Sequence, residues 1–210
     1  MKTAVVFLSD GFEEVEALTP VDYLRRAGCA LTTVAVPAAT QAKRPAHFSC
    51  DDAHIVLSSH GIPVIADKTL AEFGAELADA VFLPGGMPGS TNLAASKSVC
   101  DYVCKMNEAG KIVSAICAAP IVVLGKVGLL KGKSFTCYTG MENEREKFCG
   151  ADFAEKFAGA THEGEKPFVT SGNIITGKGA GAAALFALEL VRALFGDKAR
   201  DDLAVRVCQF

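Results

Sequence analysis

The chain has 210 residues, half of them apolar and 21% charged, with a formal net charge of −3 at pH 7. That length suits one domain with a sizeable core. The acidic balance argues against a nucleic-acid binder, which shows a basic excess or stripe, and no run approaches the roughly 18–20 apolar residues of a membrane span.

Strand and helix patterns then alternate. Thr3 to Leu8 is apolar and β-branched and stops at Ser9-Asp10-Gly11, as a buried parallel strand does. The apolar part of this run is too short for the core of a secretory leader. Glu14 to Ala27 reads as a helix: Val15, Leu18, Val21 and Leu24 recur every three residues, Tyr23 and Ala27 widen the stripe, and Gly28 ends it. Pro20 predicts a bend inside that helix. Leu31 to Val36 is a second strand. Residues 37–54 lack periodicity and read as a surface excursion. Ile55–Leu57 and Ile62–Ile65 read as short strands around Ser59-His60-Gly61.

Ala80 to Leu83 is a strand closed by Pro84-Gly85-Gly86, and Ser96 to Ala109 a helix ended by Gly110. Lys111 to Ala115 is a strand and Ala118 to Leu124 a helix. Ser134–Tyr138 and Phe168–Thr170 are further strands, and Ile174-Ile175-Thr176 leads into a last main helix, Ala180–Phe195. This order predicts an α/β fold with a mostly parallel sheet and helices on both faces. With no repeat and no linker, one domain over residues 1–210 is expected.

Eight cysteines are many for this length, at 29, 50, 100, 104, 117, 137, 149 and 208. None forms a Cys-x-x-Cys, and without a leader they read as thiols of a reducing, cytoplasmic compartment. Cys100 and Cys104 share a helix face but lack further ligands nearby, and no metal site is expected.

Cys117 stands apart. In Ile112-Val113-Ser114-Ala115-Ile116-Cys117-Ala118-Ala119-Pro120 a buried strand runs into small residues around one Cys, and a helix follows. Small neighbours let the backbone turn sharply and present the side chain, the plan of a nucleophile elbow. The positive end of the helix dipole is expected to lower the thiol pKa. The glycines of Leu83-Pro84-Gly85-Gly86 free backbone N–H groups at the carboxyl edge of the sheet, so Gly86 and Ala118 are candidate oxyanion donors. In Asp10-Gly11-Phe12-Glu13-Glu14-Val15-Glu16, Glu13 and Glu14 suit the first turn of a helix as dipole partners. Glu16 lies a turn further in, where it can point back over the sheet and serve Cys117 as acid and base. Thr176-Gly177-Lys178-Gly179-Ala180-Gly181 lacks the spacing of a nucleotide fingerprint and suits close helix packing. The four histidines show no paired spacing.

These segments resemble the ThiJ/PfpI superfamily, most closely its Parkinson disease protein 7 branch. The resemblance rests on Gly11-Phe12-Glu13-Glu14-Val15-Glu16-Ala17, Asp22 to Gly28, Leu83 to Gly86, Ala115 to Pro120 and Gly179-x-Gly181. It implies a flavodoxin-like three-layer sandwich, a homodimer, an oxidation-prone nucleophile at Cys117 and its partner at Glu16. It also implies a glyoxalase III-like or deglycase activity on 2-oxoaldehydes such as methylglyoxal, or on their adducts, with no cofactor. Gly85, His60, Tyr138 and Arg26 are further pocket candidates. Tyr138 stands where many members carry a His, which counts against a Cys-His dyad and a peptidase. His60 stands where relatives carry an Arg. A redox sensor or stress chaperone using oxidation of the same Cys is the alternative reading.

Overall fold

Strands that are apolar along their whole length need cover on both faces, and helices supply it here. The computed structural model describes residues 1–40, 52–74 and 76–209. Its first half contains β1 (Thr3–Leu8), α1 (Glu14–Arg26), β2 (Ala30–Ala35), β3 (Ile55–Leu57), β4 (Pro63–Ile65), β5 (Lys68–Thr69), β6 (Ala80–Leu83), α2 (Gly89–Ala95) and α3 (Lys97–Glu108). β7 (Ile112–Ile116) leads into a π-helical turn, Pro120–Gly125. β8 (Ser134–Phe135), α4 (Arg145–Cys149), α5 (Phe153–Lys156), β9 (Thr161–His162), β10 (Phe168–Ser171), β11 (Ile174–Gly177), α6 (Ala183–Phe195) and α7 (Asp197–Arg206) complete it.

Seven strands form the main sheet in the order β10-β11-β7-β6-β1-β2-β5. Every pairing is parallel except β10 with β11. The register places Val5, Val81, Val113 and Ile174 in one row across the sheet. That row packs under α2, α3 and the π-helical turn through Leu93, Val103, Met106 and Ile121. The opposite face, with Val6, Phe82 and Ile175, packs under α1, α6 and α7 through Leu24, Phe186 and Leu203. This is the expected flavodoxin-like layering. No helix among the described residues is long and apolar enough to cross a membrane.

Several expectations need correction. The Ser134–Tyr138 strand stops at Phe135 and pairs with β9 outside the main sheet. Beyond it the Thr136 amide turns to the Thr176 hydroxyl at 2.9 Å, and the Tyr138 amide turns to the Cys117 carbonyl at 2.8 Å. The helix expected over 118–124 is the wider π-helical turn starting at Pro120, and the last main helix opens with a 3-10 turn at Ala180–Ala182. β5, α2, α4, α5, β9 and α7 are elements the sequence pattern did not mark. Of the excursion at 37–54, residues 41–51 lie outside the described residues, as does Cys50. Its near flank is pinned where Asn92 exchanges hydrogen bonds with the Thr40 backbone at 2.7 and 2.8 Å. Cys29, Cys100, Cys104, Cys117, Cys137, Cys149 and Cys208 are free thiols, as expected.

Candidate active site

The loops at the carboxyl ends of β1, β6, β7 and β11 meet at one edge of the sheet. Cys117 follows β7 with φ +65°, in the left-handed region that a non-glycine residue enters at a cost on the order of 1–2 kcal/mol. Two backbone hydrogen bonds hold it there. Its amide donates to Gly177 O at 2.9 Å, and its carbonyl accepts from the Tyr138 amide at 2.8 Å. The half-buried side chain is thereby turned away from the strand into the space above the sheet edge.

Glu16 reaches the same space from α1. The Glu13 side chain caps this helix, accepting from the Glu16 amide at 2.7 Å. Pro20, four residues on, has no N–H for the Glu16 carbonyl. The Glu16 side chain is 1% exposed. Its carboxylate oxygens accept from the Gly85 amide at 3.1 Å and from the Ala180 amide, and its carboxyl is hydrogen-bonded to the Cys117 thiol. Burial pushes the Glu16 carboxyl up to about 7; the thiol and the two amides pull it down, and the Glu13 carboxylate adds to the rise.

Glycine at 85 is a steric requirement. A Cβ there would lie 2.4 Å from Glu16 Oε2 and 2.5 Å from Cys117 Cβ. Gly86 is held at φ +85°, and the N–H groups of Gly86 and Ala118 both point at the Cys117 sulfur. Both candidate amides thus face the same atom. The loop is stitched to the first by Glu13 N donating to Gly85 O at 3.0 Å.

The expected dipole-lowered thiol is not what the site shows. Burial first, and then the Glu16 carboxylate, push the Cys117 thiol well above its ordinary range, and the two backbone amides offset only part of this. The segment that follows is a short π-helical turn, and an acid shares the thiol's cavity. Thiol and carboxyl therefore titrate as a unit.

The other candidates fall in different places. Tyr138 is 57% exposed, and its ring lies 3.6 Å from where a Cβ on Gly179 would stand, while Glu16 Oε1 lies 3.7 Å from that point. Tyr138, Glu165, Pro167, Lys178 and Gly179 line an open cleft of about 480 Å³ beside the pair. His60, at the tip of the β3–β4 hairpin, pairs with Glu14 at 2.8 Å with its side chain 69% exposed. Arg26 does not belong to the pocket. It sits ten residues beyond Glu16 on α1, about 15 Å along the axis at 1.5 Å per residue, and pairs with Asp22. The Ala180 amide is a site group that sequence reasoning missed; the run of small residues from Gly177 to Gly181 was its trace.

The sequence profile of the DJ-1/PfpI family matches residues 2–193. The chain is 31% identical over 203 residues to protein dj-1beta of Drosophila melanogaster, covering 97% of this chain and 95% of the relative. The crystal structure of Drosophila DJ-1beta superposes with a TM-score of 0.80 at 30% identity over 99% of this chain and 97% of that one. A cysteine-to-alanine mutant of the DJ-1 superfamily protein STM1931 from Salmonella typhimurium gives a TM-score of 0.77 at 36% identity over 99% and 98%. DJ-1 homolog A of Arabidopsis thaliana is 31% identical over 204 residues, 97% of this chain but 45% of that longer protein.

Proposed function

The chain belongs to the DJ-1/PfpI family, and from that premise we propose that it is a cofactor-independent, glyoxalase III-like or deglycase enzyme acting on 2-oxoaldehydes or their adducts. One arrangement carries the reading: the buried Glu16 carboxyl, which burial pushes up to about 7, is hydrogen-bonded to the Cys117 thiol beneath two converging backbone N–H groups. A group titrating near neutrality is suited to both taking and giving a proton.

Glu16 accepts the thiol proton as the sulfur adds to the aldehyde carbon and returns it to the new hemithioacetal oxygen, which leaves the carboxylate free. The hemithioacetal oxygen lies toward the Gly86 and Ala118 amides. Glu16 then carries the proton of that carbon to the neighbouring carbonyl carbon through an enediol, while the hydroxyl proton passes to the former ketone oxygen, leaving a 2-hydroxy thioester. Water hydrolyses the thioester, releasing the 2-hydroxy acid and restoring the thiol. No electrons leave the substrate, so no redox cofactor is required. The same steps serve an adduct that releases free aldehyde. The protein acts as a single domain and a homodimer in the cytoplasm. The test is D-lactate formation from methylglyoxal: wild type turns over, and Cys117→Ala falls to background. Equal rates in both sink the proposal.

A second reading rests on the same two amides. They and Glu16 also suit a sulfinate on Cys117, as a redox sensor requires. Under mild peroxide Cys117 is then the first cysteine to gain two oxygens by mass spectrometry. Prior oxidation of Cys208, the exposed cysteine among the described residues, overturns it. A peptidase is disfavoured, since Tyr138 offers no imidazole base where a His is expected.

A further inference from the structure

Three side chains the mechanism does not use converge outside the Cys117 pocket. Cys137 follows β8, Glu142 sits on the 3-10 turn Met141–Asn143, and His162 ends β9, which β8 pairs at Phe135↔His162. Cys137 Sγ lies 3.7 Å from His162 Nε2 and 4.0 Å from Glu142 Oε2, and all three ligand atoms are within 4.8 Å of one another. Cys137 is wholly buried, whereas Glu142 and His162 are half-buried and leave an approach from solvent.

The spacing is that of a coordination sphere. With bonds of about 2.3 Å to sulfur and about 2.0–2.2 Å to nitrogen or oxygen, tetrahedral geometry sets the sulfur about 3.6 Å from each of the other donors. The sulfur lies within a few tenths of an ångström of that distance from both partners. The donors are also mounted. The Gly140 amide donates to Glu142 Oε2 at 2.8 Å, and Arg145 Nε fixes the turn by donating to Glu142 O at 2.6 Å. The His162 ring packs on Phe135 with centroids 5.3 Å apart, and a Cβ on Gly164 would stand 2.9 Å from His162 Cε1. Ligands held this way are what a metal site requires. Burial and the Glu142 carboxylate push the Cys137 thiol up to about 12, with Arg145 acting against them. A bound cation reverses that balance.

We propose that Cys137, Glu142 and His162 form a binding site for a zinc-class divalent cation, with water as fourth ligand. Thiolate and imidazole exclude calcium and magnesium, which take oxygen donors. On binding, the metal–sulfur bond forms and the thiol proton leaves to solvent. The ion ties β8, β9 and the 137–142 segment together, and that segment carries Tyr138, whose amide holds the Cys117 carbonyl. This departs from the sequence expectation of no metal site, because 25 positions separate Cys137 from His162 and no local spacing announces the set.

The test uses the Cys117→Ala chain, so that the pocket thiol cannot compete, titrated with Co²⁺ and then Zn²⁺. One Co²⁺ per chain is expected, with a thiolate charge-transfer band and tetrahedral visible bands that one Zn²⁺ bleaches. Adding Cys137→Ser or His162→Gln is expected to weaken Zn²⁺ binding by more than about 100-fold, beyond the 10–100-fold typical of outer-sphere changes. Metal-free melting curves check folding; His162 is half-exposed, so His162→Gln carries the test if Cys137→Ser does not fold. Absence of a thiolate band, or unchanged affinity in the folded variants, overturns the proposal.

Discussion

Glu16 holds its proton more tightly in the folded chain than in the unfolded one, about 7 against an ordinary 4.5. For a carboxyl raised on folding, the stabilising contribution is complete below the unfolded value and is lost as pH rises through the folded one. At about 1.4 kcal/mol per tenfold, the swing is roughly 3 kcal/mol. Glu16→Gln resembles the protonated acid at every pH. Its urea-unfolding stability should match wild type near about pH 4.5 and exceed it by a few kcal/mol near about pH 8. Turnover should meanwhile fall by about 10²–10⁴, since Gln carries no proton between two carbons. A stability difference that is flat with pH removes the raised carboxyl, and normal turnover removes the acid/base role. Both residues were legible in the sequence: the small residues around Cys117 mark the elbow, and the place of Glu16 one turn into α1 sets its direction. The rise of the thiol pKa was not legible, because it depends first on burial in the folded site and then on Glu16 arriving from a hundred positions away.

At the scale of elements, β1, β6 and β7 were readable because burial on both faces leaves runs with no polar break. α2 was not. Its sequence, Gly-Ser-Thr-Asn-Leu-Ala-Ala, opens with poor helix formers, and tertiary contacts hold it. Asn92 supplies several of them, 2% exposed, donating to Asp10 O at 3.0 Å and to Thr40 O at 2.7 Å. β5 is two residues long and leaves no period to detect, and the expected Ser134–Tyr138 strand was overextended because β8 turns away after two residues. Asn92→Ala leaves the buried Asp10 carbonyl without its donor and frees the Thr40 backbone, and should cost about 2–3 kcal/mol. A domain of this size then melts roughly 5–10 °C lower, measured by calorimetry. A shift under about 1 °C removes Asn92 as the anchor of α2.

For the whole molecule, exposed apolar residues gather where α1 meets the β3–β4 hairpin. Val15 and Ile62 are each 47% exposed and Ile65 is 73% exposed. Ser59 N donates to Phe12 O at 2.7 Å, which docks the hairpin beside the start of α1. The expected particle in sedimentation is a homodimer of twice 21.9 kDa, and Ile65→Asp should shift it toward monomer. A single-chain mass for wild type at micromolar concentration overturns this. The dimer came from family resemblance, since no periodicity in a sequence distinguishes an apolar face that meets a second copy from one that meets water.

Because the Cys117 amide is held by Gly177 O, the proposed nucleophile depends on a strand made long after it. A ribosome adding about 5–20 residues per second leaves several seconds between the two. Through that interval Cys117 is an ordinary nascent-chain thiol, titrating near about 8.5 with no acid beside it. The geometry on which the proposed chemistry rests is thus completed with β11 rather than with synthesis of the cysteine, and a chain terminated before Gly177 carries the thiol without that backbone partner.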